Sequence, residues 1–138
     1  MKKLILACAL LLLTSFTYGQ DIKKGVLVGI HTWDVKLAPG VTIEQFLSAY
    51  YSKVTPVAEK AYPGWKSYPI KRVRGDKSPS YGLMIIVPSE KERSKYYNAD
   101  ETLTELGKAA SQKLADAEKE LSKLGSIPTD HYIDWLVY

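Results

Sequence analysis

The chain alternates between a two-residue and a three-to-four-residue hydrophobic period, and it does so twice in the same order. From Val26 to Leu37 the pattern alternates. Val26, Val28 and Ile30 fall on one face; Leu27, His31, Trp33 and Val35 fall on the other, with Gly29 between them. Both faces carry apolar side chains, which predicts a central strand covered on both sides. Pro39-Gly40 turns the chain, and Thr42 with Gln45 forms a capping-box pattern. The period then becomes helical over 42–62: Ile43, Phe46, Leu47, Tyr50, Val54, Val57, Ala58 and Ala61 make one apolar stripe. Pro56 lies inside that stripe and removes the amide that would bond the Ser52 carbonyl, so a kink is expected there. Pro63-Gly64 ends the helix.

A second strand is expected over 65–74. It contains Pro69 and the basic residues Lys66, Lys71, Arg72 and Arg74, a composition that places it at a sheet edge. The turn-forming run Gly75–Pro79 leads to Tyr81–Val87, apolar on both faces and expected to be central. Ser89 with Glu92 predicts a short helical turn. The next helical stripe, Leu103, Leu106, Ala110, Leu114, Ala117, Leu121 and Leu124, predicts a helix over 102–124, capped by Thr102 with Glu105 and closed by Gly125. A last strand is expected over 131–138. The order is βαββαβ in a single α+β domain.

Upstream of the first strand the pattern is of another kind. Lys2 and Lys3 precede an unbroken apolar run, Leu4–Leu13, too short to span a bilayer. Thr17-Tyr18-Gly19 suits signal peptidase, with cleavage before Gln20. Residues 1–19 are therefore read as a secretory signal peptide and 20–138 as the mature domain, periplasmic or secreted and without stable membrane association once the leader is removed. Ile5-Leu6-Ala7-Cys8 resembles a lipobox, but the apolar run continues past Cys8. That cysteine is the only one in the chain, so the mature domain has neither a disulfide nor a thiolate. Without Lys2 and Lys3 the balance is 17 basic to 15 acidic residues, which gives no argument for a nucleic-acid partner.

Val35-Lys36-Leu37-Ala38-Pro39-Gly40, followed by Glu44, Phe46, Tyr50, Pro56 and Pro63-Gly64, resembles the dimeric α/β-barrel proteins, the superfamily of the antibiotic-biosynthesis monooxygenases and the EthD-like and NIPSNAP-like domains. The resemblance implies a ferredoxin-like four-stranded antiparallel sheet with two helices on one face. The other face would meet a second subunit's sheet in a homodimer and enclose a pocket. Two family features depart. Haem-degrading members use an axial histidine on a helix, whereas both histidines here fall on expected strands. The monooxygenase branch uses an asparagine near its cleft, whereas the only asparagine is Asn98, in the loop before the second helix.

Candidate chemistry rests on few residues. If Val26, Val28 and Ile30 face the helices, His31 and Trp33 face the barrel interior and form a ligand pocket; the plainer alternative is packing. His131 and Trp135 share a face of the last strand, which is expected beside the first, so the four side chains could cluster. Tyr68 would orient a substrate, and Arg72, with Lys71 and Arg74, could meet an anion or simply protect the edge. The two histidines with Asp34, Asp130 or Asp134 match no zinc spacing, and no Gly-x-Ser-x-Gly elbow or cofactor motif occurs. Three functions remain open. The first is an exported small-molecule-binding domain with its ligand on the sheet face. The second is a cofactor-free monooxygenase- or isomerase-like enzyme with His31 as general base or acid. The third is an interaction module without pocket chemistry.

Overall fold

The computed structural model describes residues 22–75 and 81–138; the expected signal peptide and most of the 75–79 connection lie outside them. The elements run β1 (Leu27–Leu37), α1 (Ile43–Ala49), a π-helical turn (Tyr50–Val54), α2 (Thr55–Ala61), β2 (Lys66–Lys71), β3 (Tyr81–Val87), α3 (Glu90–Arg93), α4 (Glu105–Ser122) and β4 (Gly125–Leu136). The strands form one antiparallel sheet in the order β2-β3-β1-β4. This is the ferredoxin-like arrangement. β1 and β3 are central and β2 is an edge, as their apolar and basic patterns predict.

The capping box at Thr42 and Gln45 is formed, with both reciprocal hydrogen bonds present. The kink expected at Pro56 takes a specific shape. The Thr55 amide reaches back five residues to the Tyr50 carbonyl, which inserts a π turn before α2 restarts with Pro56 in its first turn. One extra residue per turn lets the helix continue past the missing proline amide. The Ser52 hydroxyl donates to the Ser48 carbonyl at 2.7 Å.

Three boundaries differ from the sequence reading. The cap of α4 is Thr104, whose hydroxyl accepts from the Gly107 amide, while Thr102 bonds Asp100 and Asn98 in the preceding loop. Strand β2 ends at Lys71, so Arg72 and Arg74 lie beyond it. Gly125 opens β4 six residues earlier than expected and does not cap α4. A Cβ there would meet the Lys36 carbonyl oxygen at 2.7 Å, where the β1–β4 register shifts, and only glycine allows the strands so close.

The largest correction concerns the faces of the sheet. Directly paired residues share a face, and β1 pairs Gly29 with Ile85 and Asp134, His31 with Leu83 and Tyr132, and Trp33 with Tyr81 and Asp130. Trp33 packs on Tyr50 of the π turn at 4.9 Å between ring centroids. The odd-numbered face of β1, with His31 and Trp33, therefore meets the helices. The even-numbered face, with Val28 and Ile30, is the open one. His131, Ile133 and Trp135 lie on that open face opposite Thr32, Ile30 and Val28, with Ile133 and Trp135 both 61% exposed. The expected cluster of His31, Trp33, His131 and Trp135 is not formed, because the two pairs lie on opposite sides of the sheet.

Between sheet and helices sit two apolar clusters. One is built on Phe46, Ala49, Val54 and Leu121, the other on Ala61, Tyr62, Tyr96 and Ala110. A cleft runs between these clusters and the sheet.

Candidate functional site

The cleft has a volume of about 600 Å³, within the range of small-molecule sites. Its floor is the helix-facing side of the sheet: His31 and Trp33 from β1, Leu83 and Ile85 from β3, Ser67 from β2 and Asp130 from β4. Its roof is Tyr50 of the π turn, Ala58 and Glu59 of α2, and Ser111, Leu114 and Glu118 of α4. A smaller cavity of about 290 Å³ shares His31, Trp65, Ile85, Tyr97 and Asp130 with it and extends toward Arg93, Glu101 and Asp134. This cleft therefore lies under the helices, on the side of the sheet that carries His31 and Trp33, and not on the open face where a pocket was expected.

His31 is held from two sides. Its Nδ1 is 2.8 Å from Asp130 Oδ2, and its ring stacks on Tyr132 at 5.3 Å with a 20° interplanar angle. Tyr132 in turn donates to the Glu101 carboxylate, which also raises the Tyr132 phenol's pKa. A carboxylate only accepts, so Nδ1 carries a proton; when the ring is neutral, Nε2 is the nitrogen that holds the lone pair. That Nε2 lies 3.7 Å from where a Cβ on Gly29 would stand. Asp134 Oδ1 is nearer to that position, at 2.9 Å, so the Asp134 carboxylate occupies the space that Gly29 leaves beside the ring. Replacing Asp130 with asparagine removes the obligate acceptor. We expect the Nε2–H tautomer to rise at the expense of Nδ1–H, read in the imidazole ¹⁵N shifts of His31. Unchanged shifts would mean that Asp130 does not set the tautomer.

The walls are aromatic. Tyr62 packs on Trp65 at 5.0 Å and on Tyr96 at 4.8 Å, and Trp65 stacks over Tyr97 at 6.2 Å. Burial, with lesser contributions from Glu118 and Asp130, pushes the Tyr50 phenol's pKa well above the ordinary range; burial, then Tyr97, does the same for Tyr62. Both phenols stay protonated across physiological pH, so each keeps a hydrogen to donate. Two lining polar atoms have no hydrogen-bond partner among the described residues: the Trp65 Nε1 and the hydroxyl of Ser67, a residue only 7% exposed. Buried polar groups are ordinarily satisfied, and these two border a cavity large enough to hold a partner.

Of the residues singled out from the sequence, His31 and Trp33 line the cleft, and His131 and Trp135 lie on the opposite face. Tyr68 borders a shallow groove at the β2 edge with Tyr51 and Leu47, outside the cleft. Arg72 is exposed beyond the end of β2 and is not among the cleft's lining residues. Sequence reasoning did not pick out Trp65, Ser67 or Glu118, and it weighed Asp130 only as a metal ligand. Among the described residues no group of three or more histidine, cysteine or acidic side chains is placed to hold a metal ion, and no helix is long and apolar enough to cross a membrane.

No protein-family model matches the chain, and no curated protein matches it. Among solved structures it is similar to a mutant of SnoaB, a cofactor-independent oxygenase from Streptomyces nogalater. The two are 13% identical with a TM-score of 0.46, over 82% of this chain and 93% of that one. It is also similar to a dimeric protein of unknown function and ferredoxin-like fold from Bacteroides fragilis, at 13% identity and a TM-score of 0.45, over 82% of this chain and 97% of that one. Both are likenesses of fold.

Proposed function

We propose that this chain is an exported small-molecule-binding protein whose ligand lies inside each subunit, between the sheet and the helices. The observation that carries the reading is the aromatic cleft with two buried, unpartnered polar atoms, Trp65 Nε1 and Ser67 Oγ, on its lining. An apolar enclosure with a few convergent polar groups is the ordinary form of a small-molecule site. Export follows from the leader pattern at 1–19. The apolar open face, with Ile133 and Trp135 exposed, supports pairing with a second copy through the sheets. In that arrangement the dimer contact and the ligand site are on different faces.

Native mass spectrometry on protein exported by its own leader tests this. A dimer with one small-molecule adduct per subunit is expected, cut before Gln20. Leu114→Trp, which fills the cleft from α4, should remove the adduct and keep the dimer. An adduct that survives Leu114→Trp would place the ligand elsewhere. Trp135→Glu should do the reverse, giving monomers that still carry ligand. A dimer that persists in that variant would show that the sheet face is not the contact.

A second reading is favoured by one specific observation, the Asp130–His31 pair on the lining of the cleft. In that reading the protein is an enzyme and His31 takes a proton from a ligand carbon or oxygen. Asp130 stabilises the imidazolium as it forms. Loss of a positioned base is expected to slow such a step on the order of a hundredfold or more. Once a turned-over ligand is identified, His31→Gln should bind it and not convert it; equal turnover would exclude His31 as the base.

A further inference from the structure

The lining of the cleft carries an uneven charge. Glu59, Glu118 and Asp130 face it, against the single ammonium of Lys66. Lys66 is not available to a ligand, because its Nζ lies 2.7 Å from Glu59 Oε2. Asp130 is paired with His31, whose Nδ1 lies 2.8 Å from its Oδ2. Glu118 has no ion-pair partner among the described residues. Of the carboxylates on the cleft lining, Glu118 alone is therefore left without an ion-pair partner among the described residues. The smaller cavity repeats the bias: Glu101, Asp130 and Asp134 surround one cation, Arg93, and its Nε is 3.1 Å from Asp134 Oδ2.

The apolar walls point the same way. Trp33 with Tyr50, and Tyr62 with Trp65, are two aromatic pairs bordering the cleft. The faces of such rings are negative and attract cations. Ser67 adds the independent observation: its hydroxyl oxygen is buried, unpartnered and on the lining, ready to accept from an N–H.

We propose that the cleft selects a cationic ligand, a protonated amine on an apolar body, with the ammonium near Glu118 and Ser67 and an oxygen elsewhere that accepts from Trp65 Nε1. This rests on the small-molecule reading above and adds the ligand's chemical class. An anionic ligand would meet the unpaired Glu118 carboxylate, while the Lys66 ammonium is already taken by Glu59. Glu118 also contributes to the raised phenol pKa of both Tyr50 and Tyr62, so its charge is felt on both sides of the space.

Three probes of one shape separate the possibilities: para-methoxyphenethylamine, the corresponding neutral alcohol and the corresponding propanoate. Calorimetric titration of the exported protein, stripped of any adduct, is expected to show the amine bound about tenfold more tightly than the alcohol, and the propanoate weakest. Glu118→Gln should remove most of the amine's advantage and leave the alcohol's affinity unchanged, with circular dichroism confirming the fold. Leu114→Trp should abolish binding of the amine. If the alcohol binds as tightly as the amine, charge selection is wrong and the cleft reading stands. If the amine binds equally well to the Leu114→Trp protein, it binds outside the cleft and the inference fails. If none of the three binds, the cleft reading and this inference fall together.

Discussion

Replacing Gly82 with alanine is expected to destabilise the protein by about 3 kcal/mol or more, a large part of the stability of a domain this size. Gly82 stands opposite Thr32 in the β1–β3 ladder. A Cβ built on it would lie 1.9 Å from the His31 carbonyl oxygen, 3.1 Å from that carbonyl's carbon and 3.3 Å from the Thr32 Cα. All three are backbone atoms, so no side-chain rotation relieves the contact. The two central strands would have to part at the position that carries His31. The ladder hydrogen bonds on either side would weaken, and buried donors and acceptors would be left unpaired at further cost. Urea denaturation measures the loss, and hydrogen exchange locates it. The midpoint should fall, and protection should drop first in the amides of β1 and β3 near His31. A midpoint within error of the parent's would show that the strands separate there cheaply. The same substitution should also disturb the His31–Asp130 geometry, since His31 is placed by this stretch of β1.

The parts of this fold legible in the sequence were those that depend on period. Alternation in 26–37 and 81–87 marked two central strands, the basic residues and Pro69 marked an edge, and Thr42 with Gln45 marked a helix start. Parity was not legible. Both faces of β1 are apolar enough to be inside, and a shift of one residue exchanges every side chain between core and open face. Reading Val28 and Ile30 as the helix-facing set put His31 and Trp33 on the wrong side. It also directed attention to His131 and Trp135 instead of their neighbours Asp130, Tyr132 and Asp134. The signal that could have decided the matter lies in β4 itself. Those three residues alternate with His131, Ile133 and Trp135, and a polar run of this kind on a strand beside a central histidine is hard to place except around a site. Trp65 and Ser67 left no such trace. Their role depends on the cleft's shape, which the π turn and the packing of α4 create and which no local pattern encodes. The cap of α4 was missed for a simpler reason. Thr102 and Thr104 both precede the apolar stripe at cap-like positions, and the loop bonds of Thr102 to Asp100 and Asn98 decide between them.

Phe46→Ala should cost about 3–5 kcal/mol, the range for deleting a fully buried aromatic side chain. Phe46 is 0% exposed and lies at the centre of the cluster that joins α1, the π turn, α4 and the start of β4, with Ala49, Val54 and Leu121 against it. Its ring edge is 3.3 Å from where a Cβ on Gly125 would stand, so the phenyl fills the space that the glycine leaves at the β1–β4 register shift. Phe46 also lines the cleft, so its removal does not create a sealed void. The new space joins the existing one and water can enter it, which favours the lower half of the range over full cavity cost. Phe46→Leu, keeping most of the volume, should lose much less, about 1–1.5 kcal/mol. The pair separates two roles for the residue. If Phe46 serves packing alone, the leucine variant binds the cleft's ligand as the parent does. If the phenyl is part of the ligand's wall, the leucine variant stays folded and binds less tightly. A loss below about 1 kcal/mol for the alanine variant would mean that α1 and β4 are held together by other contacts, and Phe46 would no longer count as the centre of the core.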